Sequence, residues 1–217
     1  VLMTIENVGG VKTAWLTNFL ETVLSQAWYP ITVAALSREV KITLSEYFAL
    51  TSDNGLLQFG LHDFGFRGAS SWESAGIGGA AHLVNFLGTD TVVAMEVAMN
   101  YYNANLDNLA FSVAATEHSV MTALGKNGEE QVVENLLNEY PTGILSVVAD
   151  SYDIYNFVSN IVGTKFKDRI LARDGVFVVR PDSITPTHQT PEEEMVWIMN
   201  SLWDNFGGVV NSKGYMV

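Results

Sequence analysis

Apolar residues in the first quarter of the chain recur at helical spacing. One apolar stripe covers residues 15–28 and a second covers residues 36–48, with neighbours three or four positions apart as on one face of a helix. Pro30 lies between the stripes, and proline disrupts a helix interior because it has no amide donor. The pattern therefore predicts two helices that separate at Pro30, followed by a polar loop at residues 51–55.

Beyond residue 55, short apolar runs alternate with helical patterns. The predicted strands are 56–61, 109–113, 144–148 and 176–179. The predicted helices are 70–86, 91–102, one that ends near residue 125, 128–140, 151–163 and 190–207. Ser70 and Glu73 are expected to form the capping box of the first of these helices, and residues 76–79 indicate close helix packing.

This alternation predicts an α/β fold with a parallel sheet. Four or five strand–helix units are too few for a closed barrel, which needs eight. We therefore expect a partial (β/α) barrel over residues 56–217, preceded by a mainly helical segment over residues 1–55. An open doubly wound sheet is the alternative.

Ionisable side chains follow each predicted strand, and in α/β folds this carboxyl edge is where ligands bind. They are found at residues 62–67, 117–118, 150 and 180–182. A single Asp after a strand is commonly a helix N-cap, which is the alternative for Asp150.

The residue types at this edge favour a phosphorylated ligand with an aromatic ring. Arg67 and Arg180 can hold phosphates in bidentate geometry, and Asp150 and Asp182 are hard oxygen ligands suited to Mg²⁺. Phe64 and Arg180 could stack on a flat ring. The alternative is that Phe64 belongs to the core and both arginines lie on the surface.

Among the histidines, His118 is the candidate for chemistry. It follows Glu117 near a predicted helix start and could take part in proton or phosphoryl transfer, although a lone histidine is more often structural. His62 is expected only to support the loop that carries Arg67. His82 lies within a predicted helix and His188 in a Thr/Pro-rich loop.

Composition narrows the class of protein. The chain has 217 residues, no cysteine, 11 Lys and Arg against 24 Asp and Glu, and a net charge of −13. This charge has the wrong sign for nonspecific nucleic-acid binding, and the missing cysteines exclude a disulfide scaffold or thiol chemistry. Neither a membrane-spanning apolar run nor a signal-peptide pattern is found, and we expect a cytoplasmic protein. The chain does not begin with Met, which suggests that it starts inside a longer protein.

Several long motifs, in order, resemble the nicotinamide phosphoribosyltransferase family, and together they cover nearly the whole chain. These are residues 3–7, 28–33, 62–68, 75–78, 82–86, 88–91, 112–119, 146–156 and 180–183. The resemblance implies the barrel fold of nicotinate and nicotinamide phosphoribosyltransferases. It also implies that nicotinamide and phosphoribosyl pyrophosphate condense to nicotinamide mononucleotide and pyrophosphate in NAD biosynthesis.

The resemblance assigns the nicotinamide end of the site to five residues. Phe64 would stack on the pyridine ring, and Ser112, Val113 and Ser146 would line the substrate pocket. Asp90 would accept a hydrogen bond from the carboxamide. A carboxylate at that place attracts an amide donor and repels nicotinate, so the resemblance favours the amide as substrate.

It assigns the phosphoribosyl end to five others. Arg67, Asp150 and Asp182 would contact the ribose, the diphosphate or Mg²⁺, with both aspartates as direct or indirect ligands of the ion. Arg180 would lie near the ring or the phosphates. His118 resembles the histidine that ATP phosphorylates, so ATP is expected as a coupled co-substrate, and Asp150 and Asp182 join it as expected catalytic residues.

Members of this family continue beyond both ends of this chain. A downstream Gly-rich phosphate-binding segment and an upstream portion that completes the pocket across a homodimer are missing, so we expect the chain alone to be inactive. Two alternatives stay open: a nicotinate phosphoribosyltransferase, and a non-catalytic remnant that acts as an assembly module.

Overall fold

The computed structural model describes residues 1, 3–185 and 190–217 and is an α/β structure of helices and small parallel sheets. His188 therefore lies outside the described residues. The chain divides into two compact units, one of Val1–Ser112 with Asn211–Tyr215 and one of Val113–Val210 with Met216–Val217. The expected boundary at residue 55 between helical segment and barrel stays a prediction.

The first unit begins with one long helix, α1 (Trp15–Thr51), which runs through Pro30. The prediction of two helices was therefore wrong. Proline removes only one donor from the hydrogen-bond ladder, and contacts beyond it hold the helix in place. The Asn85 side chain donates to the Ala34 carbonyl at 2.9 Å and to the Ser37 hydroxyl at 2.8 Å.

The remaining elements of this unit are shorter than the sequence pattern predicts. They are β1 (His62–Asp63), α2 (Trp72–His82), β2 (Gly88–Thr89) and α3 (Val93–Tyr102). Strands β1 and β2 pair in parallel, and Gly88 also bridges to Phe111. The predicted strand 56–61 is wrong, because Leu56–Phe59 forms a 3-10 turn and the strand begins at His62.

The start of α2 corrects the expected cap. Ser71, not Ser70, is the N-cap, and its hydroxyl accepts from the Ser74 amide at 3.0 Å. Ser74 takes the place predicted for Glu73 and accepts from the Ser71 amide at 3.2 Å. The helix ends at His82, four residues before its predicted end at residue 86.

Small residues allow α2 to pack closely on α3, as the sequence predicts for residues 76–79. A Cβ built on Gly79 would lie 2.6 Å from the Ala94 Cβ, and one on Gly76 would lie 2.8 Å from a Val97 methyl carbon. Both distances are shorter than carbon–carbon contact allows, so the glycines are needed for this approach.

The second unit is built on a parallel sheet in the order β3-β4-β5. Its elements are β3 (Ala114–Ala115), α4 (His118–Met121), α5 (Glu129–Glu139), β4 (Thr142–Val148), α6 (Ile154–Asn156), α7 (Lys167–Leu171), β5 (Asp174–Arg180) and α8 (Pro191–Phe206). A π-helix, Phe157–Lys165, follows α6. The core of the unit lies between the sheet and the helices, around Leu145, Val147 and Phe157.

The longer predicted elements are confirmed here, and the shorter ones are corrected. Strands β4 and β5 and helices α5 and α8 lie where the pattern predicts them, and Thr190 caps α8 by accepting from the Glu193 amide at 3.3 Å. The predicted strand 109–113 is displaced to 114–115. The helix expected to end near residue 125 is only α4, and the one expected over 151–163 is α6 followed by the π-helix.

Within the described ranges, no helix is both long and apolar enough to cross a membrane.

Candidate functional site

The first unit gathers polar groups around Asp90, directly after β2. The Ser112 hydroxyl donates to Asp90 Oδ1 at 2.5 Å, and His62 Nε2 lies 3.1 Å from the same oxygen. The Asp90 amide donates to the Asp63 carbonyl at 2.9 Å, which places Asp90 at the carboxyl edge of the β1–β2 pair. The side chain remains partly exposed, so this carboxylate is accessible to a ligand.

An aromatic surface adjoins this carboxylate. Phe64 follows β1 and is 53% exposed, so the alternative in which it belongs to the core is wrong. Its ring centroid lies 4.6 Å from that of His62, the residue that contacts Asp90. An exposed ring close to a hydrogen-bond acceptor suits a flat ligand that carries an amide donor.

The loop that follows Phe64 carries Arg67. It forms the 3-10 turn Gly65–Gly68, which is anchored because the Gly65 amide donates to Asp63 Oδ1 at 2.8 Å. Asp63 Oδ2 in turn accepts from the Thr89 hydroxyl at 3.2 Å. Asp63 therefore fixes the start of this loop, and Arg67 lies exposed within it.

In the second unit, Asp150 connects the segments that follow all three strands. Its Oδ2 accepts from the backbone amides of Asp182 at 3.2 Å and Ser183 at 2.7 Å, after β5. Its Oδ1 lies 3.2 Å from His118 Nε2, after β3. The Asp150 side chain is 5% exposed, whereas that of His118 is 47% exposed. The alternative in which Asp150 is a helix N-cap is wrong, because Asp153 caps α6.

Arg180 is fixed at the end of β5. Its Nη2 donates to the Thr116 carbonyl at 2.6 Å, and its Nη1 lies 3.7 Å from Asp182 Oδ1. Thr116 also accepts from the Val148 amide at 3.0 Å through its hydroxyl. The guanidinium is thus oriented at the carboxyl edge of the sheet, where bidentate contact with a phosphate is favoured.

Two further predicted residues belong to the same unit. Ser146 is buried in β4 and pairs in register with Val178. Val113 precedes β3 and is exposed. The second unit therefore brings together His118, Asp150, Arg180 and Asp182, while the first brings together Phe64, Asp90 and Ser112.

The carboxylates of the second unit suit Mg²⁺ only with help from a ligand. No cluster of three or more His, Asp or Glu that could hold a metal ion occurs among the described residues. Asp150 already accepts two backbone amides, which leaves Asp182 as the more available carboxylate. Mg²⁺ usually keeps several waters and binds one or two carboxylates plus substrate phosphates, and these residues fit that arrangement.

The pKa values of two buried groups are displaced. Burial, reinforced by Asp153 and opposed by Lys126, raises the pKa of Glu129 to about 7. Burial lowers the pKa of His82, and its hydrogen bond to the Gly88 carbonyl partly opposes the shift. Neither group was predicted as a site residue.

Sequence reasoning missed three contributors to these arrangements. His62, expected only to support the loop, contacts Asp90 and Phe64, while Asp63 and Thr116 orient their neighbours. The adjacent His-Asp-Phe at the end of a strand was the available signal for His62. Nothing in the spacing distinguished Thr116 from an ordinary loop residue.

The first unit thus places an exposed aromatic ring near a carboxylate, and the second places Arg180 near Asp182 at the carboxyl edge of its sheet. The chain belongs to the nicotinate phosphoribosyltransferase (NAPRTase) family, which matches residues 59–217. It is 42% identical over its whole length to the nicotinamide phosphoribosyltransferase of Xanthomonas campestris pv. campestris, covering 46% of that protein.

Two further curated relatives carry the same name. The proteins from Mycoplasma pneumoniae and Acinetobacter baylyi are each 36% identical. These matches cover 95% and 94% of this chain, and 45% and 43% of the relatives. The chain thus spans less than half the length of the relatives it matches.

Proposed function

We propose that the complete protein containing this chain condenses nicotinamide with phosphoribosyl pyrophosphate, giving nicotinamide mononucleotide and pyrophosphate for NAD biosynthesis. The observation that carries this proposal is the Asp90 carboxylate, which is close to His62, whose ring centroid lies 4.6 Å from that of the exposed Phe64. Family membership and the names of the relatives give independent support.

Recognition of the nicotinamide ring and its carboxamide is assigned to Phe64 and Asp90. Phe64 stacks on the pyridine ring, and Asp90 accepts a hydrogen bond from the carboxamide. The Ser112 hydroxyl donates to Oδ1 of Asp90 at 2.5 Å, and His62 Nε2 lies 3.1 Å from the same oxygen. This carboxylate repels the carboxylate of nicotinate, which favours the amide over the acid. Ser112, Val113 and Ser146 are proposed to line the substrate pocket.

The charged residues are assigned to the phosphoribosyl pyrophosphate end of the substrate. Departure of pyrophosphate leaves an oxocarbenium-like ribose, so charge stabilisation matters more than a strong base. Arg67 and Arg180 hold phosphate oxygens, and Asp150 and Asp182 orient the ribose or the ion. Asp182 would hold Mg²⁺ together with the diphosphate, and the ion would supply charge neutralisation for the leaving group.

His118 is proposed to accept a phosphoryl group from ATP. The contact with Asp150 at 3.2 Å orients the imidazole while the ring stays half-exposed, which suits a nucleophile that must reach a soluble co-substrate. Incubation with γ-labelled ATP should give an acid-labile, alkali-stable label on the protein. A His118→Ala variant that retains this label would contradict the assignment.

The fold and assembly of the complete protein are proposed from the family resemblance. Strands β3, β4 and β5 form part of a (β/α) barrel, and the protein works as a homodimer in the cytoplasm. The parallel order of these strands supports the barrel. Sedimentation of the complete protein tests the dimer, and a monomer that retains full activity would contradict it.

The decisive experiment supplies the complete protein with phosphoribosyl pyrophosphate, Mg²⁺, ATP and either nicotinamide or nicotinate. We expect nicotinamide mononucleotide, identified by mass. Product from nicotinate alone would instead support a nicotinate phosphoribosyltransferase. No product from either base would support the non-catalytic assembly module.

A further inference from the structure

Glu194 is the unusual member of an acidic turn. Three glutamates occupy the first turn of α8, Glu192, Glu193 and Glu194, where carboxylates complement the helix dipole. Glu192 and Glu193 are exposed, but Glu194 is 3% exposed. Burying a carboxylate costs free energy unless hydrogen bonds compensate, so the helix dipole alone does not explain its position.

The Glu194 carboxylate is directed at the loop that follows β5. Its Oε2 accepts from the Thr185 amide at 2.6 Å and from the Thr185 hydroxyl at 2.9 Å. The same hydroxyl lies 3.2 Å from the Tyr155 hydroxyl, and the Tyr155 ring packs edge-on against Trp197 of α8, with 4.4 Å between centroids. Glu194 thus ties α8 to Thr185.

This contact holds one end of a segment whose other end is held by Asp150. The Ser183 amide donates to Asp150 at 2.7 Å, and Thr185 follows two residues later. Ser183, Thr185, Asp150 and Tyr155 line a cavity of about 400 Å³. The wall of that cavity is therefore fixed at both ends, once by Asp150 and once by Glu194.

We propose that Glu194 is a positioning residue that holds the Asp182–Thr185 segment in the geometry needed to bind phosphoribosyl pyrophosphate. It acts through Thr185 and touches no reacting atom. This inference rests on the proposed function, because Asp182 is the proposed partner of the diphosphate and its ion. It assigns to α8 a role in substrate affinity in addition to packing.

The test compares Glu194→Ala, Glu194→Gln and the matched control Glu192→Ala in the complete protein. Loss of two hydrogen bonds to a carboxylate that positions a binding segment should raise KM for phosphoribosyl pyrophosphate by about tenfold or more. The KM for nicotinamide should change little. Glu194→Gln keeps an amide oxygen that can accept from Thr185 and should restore most of the affinity, and Glu192→Ala should behave as the unmodified protein.

A purely structural role predicts a different result. Glu194→Ala would then lower Tm without separating the two KM values, and this outcome would overturn the proposal. If Glu194→Ala does not fold, Thr185→Val provides the second variant, because it removes the hydroxyl contacts with Glu194 and Tyr155 and keeps the amide. Its KM for phosphoribosyl pyrophosphate should rise by a smaller factor, and an unchanged KM would count against the proposal.

Amide hydrogen exchange over residues 180–185 gives a readout that does not depend on activity. Glu194→Ala should lose protection in this segment, and Glu194→Gln should recover it. If the unmodified protein makes no nicotinamide mononucleotide, the proposed function fails, while the exchange result still decides whether Glu194 positions the segment. Equal exchange in all variants would refute the positioning role even in an active enzyme.

Discussion

In the proposed function, substrate choice follows most directly from Asp90. Replacement by serine would then remove the charge that repels nicotinate and weaken the acceptor for the carboxamide. We expect Asp90→Ser to lower kcat/KM for nicotinamide by about tenfold to a hundredfold, the effect of losing one buried hydrogen bond to a charged group. The ratio of kcat/KM for nicotinamide to that for nicotinate should fall correspondingly.

The control for this prediction is Asp107→Ser, the same change at an exposed position of the first unit. It should leave both kcat/KM values unchanged. If the Asp90→Ser enzyme keeps the full preference for nicotinamide over nicotinate, Asp90 does not recognise the base.

Glu129 makes a pH-dependent contribution to stability. Its pKa is raised to about 7 in the folded protein, from 4.5, so the folded state binds the proton more tightly than the unfolded state. The stability from this group is complete below pH 4.5 and is lost as the pH rises through 7. Above pH 7 the folded protein must bury a carboxylate, whose Oε1 has no hydrogen-bond partner among the described residues.

We therefore expect Glu129→Gln to stabilise the second unit at pH 8 and to have little effect at pH 4. The gain at pH 8 should be about 3 kcal/mol at most, since one pKa unit corresponds to about 1.4 kcal/mol. Urea unfolding at both pH values measures it. Glu139→Gln, at the exposed end of the same helix, should show no such difference, and equal behaviour of the two variants would contradict the assignment.

At the residue scale, the sequence predicts which ionisable groups lie at strand ends better than it predicts the partners they contact. His118, Asp150 and Asp182 were chosen because they follow strands, and they are joined through Asp150. The contact of His62 with Asp90 links positions 28 residues apart, and no periodicity encodes such a contact. Hydrogen bonds of this kind depend on how the strand ends meet in space.

At the scale of elements, length decided what the sequence could predict. Strands β4 and β5 have seven residues each, enough to produce a continuous apolar run. Strands β1, β2 and β3 have two residues each, too few for any alternation to be seen. The continuity of α1 through Pro30 was missed because contacts with Asn85, which local propensity does not contain, help hold the helix.

The α2–α3 contact gives a prediction at the same scale. Alanine in place of glycine within a helix ordinarily stabilises by about 0.5–1 kcal/mol. At Gly79 the added Cβ would meet Ala94 at 2.6 Å and Thr91 at 3.0 Å. Overpacking of this kind costs about 1–3 kcal/mol, so Gly79→Ala should lower the free energy of unfolding.

Denaturant unfolding measures this effect, and Gly55→Ala is the control. A Cβ at Gly55 has nothing within 4 Å, and its backbone is not in the left-handed region, so this change should be nearly neutral. If Gly79→Ala is as stable as the unmodified protein, the helices can separate without cost, and the close approach is not required.

At the scale of the whole molecule, the composition is reconciled with the proposed substrate. A net charge of −13 opposes an anionic ligand overall, yet association depends on local charge. Arg180 is oriented by the Thr116 carbonyl at the strand edge, and Arg67 lies in a loop anchored by Asp63. The acidic net charge is therefore compatible with the proposed phosphorylated substrate, because local cations can bind it.

The sheet of the second unit has apolar side chains on its outer face. Ile144 of β4 pairs in register with Val176 of β5. Both side chains, and that of Val178, are exposed on the face away from the core, and Val176 is 54% exposed. Neighbouring apolar side chains on one sheet face are costly in water. If these strands belong to a (β/α) barrel in the complete protein, this face lies in its filled interior.

Cysteine labelling tests whether this sheet face is buried in the complete protein, because the 217-residue sequence contains no cysteine. In the complete protein, with any cysteines outside this chain replaced, Val176→Cys should react with a maleimide at least about tenfold more slowly than Glu192→Cys, as expected for a side chain in a close-packed interior. Both variants should react equally fast after denaturation, which controls for intrinsic reactivity. Comparable rates in the folded protein would mean that the face stays open to solvent, and the barrel assignment would then be wrong.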